Sequence, residues 1–152
     1  MPGRGVPAAL AAALLLAGCG AREEASPLDC LELDPAPVAR ALERAPAKVT
    51  LAGGSALSDC VRLLARSDAE LQGLTIRLMR VADELRARAD EDPAAALRLG
   101  YLAGAVRRGA ARTPGLAAQL ARRIDQVTVS DAGGAPPRPE LARGMQRGEA
   151  EG

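Results

Sequence analysis

Apolar residues between positions 68 and 89 recur at three- and four-residue steps: Leu71, Leu74, Leu78, Val81 and Leu85. That spacing winds onto one stripe of an α-helix and predicts a helix over 68–89. Arg77, Arg80, Asp83, Glu84 and Arg88 then occupy the opposite side. Leu116, Leu120, Ile124 and Val127 repeat the pattern and predict a helix over 114–127. Start signals divide the rest. Asp34-Pro35, Asp92-Pro93 and Thr113-Pro114 each set a capping side chain before a proline suited to a first helical position. Ser67-Asp68-Ala69-Glu70 has the form of a capping box, and Ser55 follows Gly53-Gly54 as a further cap. Five helical segments result: 35–44, 56–65, 68–89, 93–112 and 114–127. The stretch 48–54 has no strand partner and reads as a loop. From Ser130 onward Gly, Pro and charge dominate, which predicts disorder over 130–152.

Composition sharpens the class. Apolar residues make up 48% of the chain, yet Tyr101 is its one aromatic residue. A core of Leu, Val, Ile and Ala favours helices over strands. The expected fold is all-α, a small bundle of four to five helices. Lys48 is the one lysine among 20 basic residues, and the net charge is +1. Bulk charge therefore supplies no electrostatic footprint for nucleic acid.

The amino terminus has its own layout. Arg4 precedes an uncharged apolar run from Val6 to Ala17, followed by small residues. This is the form of an export signal, and the run is too short to span a bilayer. Leu16-Ala17-Gly18-Cys19 resembles a bacterial lipobox. The resemblance implies a lipoprotein: cleavage after residue 18, a diacylglycerol on the Cys19 thiol, and a location on the extracytoplasmic side of the cell membrane. The competing reading is an ordinary signal peptide that happens to contain a cysteine. Two or more acyl chains hold a protein on a membrane persistently. Residues 19–29 then form a polar tether to a helical domain over 30–129. The nine residues from Gly20 to Leu28 reach at most about 30 Å.

Cys30 and Cys60 remain. In an exported chain an even pair reads as a disulfide; two buried free thiols are the alternative. No metal site is expected, because the chain has no histidine and no close cysteine pair.

Two features of 93–112 invite a functional reading. Ala96, Gly100 and Gly104 fall at four-residue steps, with Tyr101 beside them and Gly109 one position off the next step. Each glycine costs a helix about 1 kcal/mol relative to alanine, so something must offset it. Either a neighbouring helix packs closely there, the segment over 68–89 being the first candidate, or the stripe is a groove for a ligand or partner helix. Arg98, Arg107, Arg108, Arg112, Arg122 and Arg123 lie in a stretch with no acidic residue between Pro93 and Ile124. They form either a solvated face or an electropositive surface for anionic lipid or envelope polymers.

Catalytic chemistry is not expected. Without histidine there is no imidazole base for a nucleophile. The cluster Asp90, Glu91 and Asp92 reads as a helix cap and dipole complement. No phosphate loop or dinucleotide fingerprint occurs, so no cofactor is expected. The segment Leu97-Arg98-Leu99-Gly100-Tyr101-Leu102-Ala103-Gly104-Ala105-Val106-Arg107-Arg108-Gly109, with Leu57-Ser58-Asp59-Cys60, is similar to small uncharacterised secreted proteins of actinobacteria. That resemblance implies secretion and no known activity. The sequence thus predicts a membrane-anchored binding or scaffold module acting on an envelope protein or anionic lipid. A small-ligand or lipid carrier with a cavity between helices is the alternative.

Overall fold

The computed structural model describes residues 27–129 and 138–152. The signal over 1–18, Cys19 and the tether up to residue 26 lie outside the described residues, as do residues 130–137. Among the described residues the fold is all-α, with helices α1 (Pro27–Leu31), α2 (Pro35–Leu42), α3 (Leu57–Leu64), α4 (Asp68–Ala89), α5 (Pro93–Ala110), α6 (Leu116–Thr128) and α7 (Pro139–Glu151). α2 to α6 answer to the five expected segments. α1 and α7 do not. The chain is already helical at Pro27, inside the expected tether, and residues 139–151 are a packed helix rather than a disordered tail.

α5 is the central element, packed against α3, α4, α6 and α7. Its sequence explains the placement. Between Ala95 and Ala110 the only charges are Arg98, Arg107 and Arg108, so nearly the whole circumference can leave water. Leu99, Tyr101, Leu102 and Val106 are fully buried. The α4 stripe of Leu71, Leu74, Leu78, Val81 and Leu85 closes one side of the core, and Leu120 and Ile124 of α6 close another. Burying a leucine-sized side chain contributes about 1.5–3 kcal/mol, and this layer is the main source of stability.

The loop between α2 and α3 is tied down by the core. Val49 and Leu51 are buried, and the Val49 N–H donates to the Tyr101 hydroxyl at 3.0 Å. The same loop turns through Gly53 and Gly54, both at positive φ near 84°, which an L side chain rarely adopts.

Cys30 and Cys60 form a disulfide, with Cα atoms 5.3 Å apart and both side chains fully buried. It staples α1 to α3. Arg77 of α4 completes the attachment of α1, donating to the carbonyls of Leu31 and Leu33 at the end of that helix. Of the expected caps, Asp92 accepts from the Ala94 N–H at 2.8 Å. Asp34 and Ser67 precede their helices but make no side-chain cap bond. α3 starts after Ala56 rather than Ser55, and α6 starts after Gly115 rather than Thr113.

Candidate functional site

The small-residue stripe of α5 is filled. α7 runs parallel to α5 and lays its own row, Gly144 and Gly148, level with Gly100 and Gly104. A Cβ built on Gly100 would lie 2.0 Å from the Leu141 carbonyl oxygen, and one on Gly104 would lie 2.1 Å from that of Met145. The reverse holds as well: a Cβ on Gly144 would meet the Leu97 oxygen at 2.0 Å, and one on Gly148 that of Tyr101 at 2.1 Å. Backbone rests on backbone along two turns, with no side chain between. Close approach of this kind is what paired glycines permit. The neighbour in the stripe is therefore α7, not the helix over 68–89. Gly109 faces elsewhere, onto Ser58 and Val61 of α3, which accounts for its break from the four-residue step.

Polar contacts fasten both ends of α7. At its start Arg138 donates to the Ala89 carbonyl and pairs with Asp90 at 3.0 Å. Near its end Arg108 donates to the carbonyls of Glu149 and Ala150, and the Ser58 hydroxyl donates to the Gly152 carbonyl. Arg107 joins three helices, pairing with Asp125 of α6 at 2.8 Å and Glu149 of α7 at 3.1 Å. Burial works against the Arg107 charge, but these two carboxylates outweigh it and hold its pKa above the ordinary arginine value.

The arginine set therefore does not share one task. Arg107 and Arg108 are bound to α6 and α7. Arg98 is half-buried on α5, while Arg112, Arg122 and Arg123 are exposed. Arg112 sits at φ 68° just beyond the end of α5. Ala96 and Tyr101 lie inside the core, with no exposed surface. Burial raises the Tyr101 pKa above 10.0, opposed by the hydrogen bond from Val49.

No group of three or more His, Cys, Asp or Glu side chains converges as a metal site among the described residues. Of the acidic cluster at 90–92, Asp90 pairs with Arg86 and Arg138, and Asp92 caps α5. None of the described helices is long and apolar enough to cross a membrane.

An open concave surface among the described residues lies elsewhere, between α4 and α6. A hollow of about 590 Å³ is lined by Thr75, Ile76, Met79, Arg80, Asp83, Glu84 and Arg123. A smaller one of about 200 Å³ adjoins it, sharing Thr75 and Arg123 and floored by Leu116 and Leu120. Ile76 is 68% exposed there, one of three large apolar side chains left in solvent among the described residues. Sequence reasoning passed over this face because it sits on the charged side of α4. The available signal was Ile76 itself, an apolar residue off the buried stripe and surrounded by Arg77, Arg80 and Asp83. Neither a family model, nor a curated protein, nor a solved structure matches this chain.

Proposed function

We propose that this chain is a lipid-anchored protein of the cell envelope, acylated on Cys19, whose helical body serves as a non-catalytic binding or scaffold module on the extracytoplasmic side of the membrane. The observation that carries the reading is the buried Cys30–Cys60 disulfide. Disulfides persist in oxidising compartments. The bridge engages two of the three cysteines and leaves Cys19, the lipobox thiol, for lipid. α1 starts eight residues after Cys19, so a folded body would stand close to the membrane surface.

The α4–α6 groove supports recognition of a partner. A carrier would need an enclosed cavity, whereas the space around Tyr101, Gly100 and Gly104 is filled by the α2–α3 loop and by α7. The binding module is therefore favoured over the lipid carrier.

Growth with an alkyne-bearing palmitate analogue tests the anchor. The full chain should carry the label and fractionate with membranes, and Cys19→Ser should lose both. A labelled Cys19→Ser chain, or an unlabelled wild type that keeps residues 1–18, would overturn the reading.

A further inference from the structure

α4 carries a second stripe, exposed rather than buried. Ile76, Arg80, Asp83 and Ala87 recur at steps of four, three and four residues, and all four are exposed. This is the spacing of a helix-pairing seam. It holds one large apolar residue, one residue of each charge, and one small residue. None of Arg80, Asp83, Glu84 and Arg123 takes part in an ion pair among the described residues.

We propose that this face is an isologous interface, on which α4 of a second copy of the chain lies antiparallel. The inference builds on the binding-module reading but not on the lipid at Cys19. The order of residues along the stripe supports self-pairing. Arg80 and Asp83 are one turn apart, about 4.5 Å along the axis. A two-fold axis passing between Val81 and Ala82 sets Arg80 opposite the second copy's Asp83, and by symmetry the reverse. The same axis sets Ile76 opposite Ala87, so the protruding side chain meets the smallest one, twice. Arg80 and Asp83 thereby each gain a partner of opposite sign, and the exposed isoleucine gains a cover. An anionic membrane would satisfy Arg80 and Arg123 but would repel Asp83 and Glu84. The alternating signs therefore favour a reversed copy of the same helix.

Sedimentation velocity on the full chain, in density-matched detergent so that lipid adds no apparent mass, tests the pairing. A concentration-dependent dimer is expected. Arg80→Asp and Asp83→Arg should each weaken it at least tenfold, because each places like charges face to face twice. The double variant R80D with D83R restores opposite signs and should return within about threefold of wild type. Both positions are exposed, so circular dichroism should not change. A chain that stays monomeric at every concentration would overturn the proposal. So would a dimer insensitive to either reversal, or a double variant no better than the singles. Loss of label at Cys19 leaves this measurement intact, so the two proposals fail separately.

Discussion

Replacing Gly100 by alanine separates two opposing effects. In an isolated helix Gly→Ala stabilises by about 1 kcal/mol, because alanine has less backbone freedom to lose. In this protein the new Cβ would stand 2.0 Å from the Leu141 oxygen and 2.9 Å from the Met145 nitrogen. Both are backbone atoms, so no rotamer change relieves the contact. Restoring even a tight separation requires α7 to retreat by about 1.2 Å, and a gap of 0.5–1 Å already forfeits a quarter to a half of each van der Waals well. The level pairs at Gly104 and Gly148 open with it. Overpacking of this kind costs about 1–3 kcal/mol or more. Because both contacts are with backbone the cost lies at the upper end of that range, and set against the propensity gain the net is a destabilisation of about 2 kcal/mol, concentrated in α7.

Gly73→Ala is the matched control. It has the same chemistry inside α4, but the new Cβ would meet a side chain and no backbone: the Arg77 guanidinium at 3.0 Å, which need give only a few tenths of an ångström and can keep its bonds to the Leu31 and Leu33 carbonyls. That variant should gain about 0.5–1 kcal/mol. Urea unfolding gives the two signs, and hydrogen exchange gives the location. Amides of α7 should exchange faster in Gly100→Ala while those of α4 keep their protection. If Gly100→Ala stabilises as much as Gly73→Ala, or if α7 exchange does not change, the close backbone contact does not govern α7 docking.

Two further outcomes follow from the core. The bridge closes a span of 30 residues, for which loop entropy gives about 3.6 kcal/mol; the Cys30→Ala, Cys60→Ala double variant should lose about 2–4 kcal/mol by urea unfolding, and a loss under 1 kcal/mol would refute the stapling role. Burial raises the folded pKa of Tyr101 above its ordinary 10.0, so above that pH the unfolded chain releases the proton first and stability falls as pH rises. Below about pH 10 the contribution is constant. Phenolate absorbance from this lone tyrosine should appear only together with unfolding. Tyr101→Phe should remove this part of the alkaline decline while costing about 1–3 kcal/mol at neutral pH, because the buried Val49 N–H loses its acceptor. A tyrosine that titrates at its ordinary pH in a folded chain would contradict the buried environment.

What the chain determined alone was the class of fold and the positions of α2 to α6. Those elements announce themselves locally, through apolar periodicity, prolines at helix starts and the absence of aromatic and β-branched runs. The cysteine pairing was legible too, with the free-thiol alternative left to the structure to settle. What the tertiary structure decided was everything resting on contact between distant segments. α7 has Gly144 and Gly148 in its interior and buries just one large side chain, Leu141, so its local signals say disorder. Its helix exists because the α5 glycines let two backbones touch, and that requires both rows at once. α1 needs a disulfide partner 30 residues away and the Arg77 guanidinium. Likewise Arg107 and Arg108 read as one basic surface in sequence. Arg107 became a three-helix joint only when Asp125 and Glu149 were folded against it, and Arg108 a clasp on the Glu149 and Ala150 carbonyls of α7. Helix propensity and periodicity act over four or five residues. The choice of neighbour depends on which surfaces fit together across the whole chain.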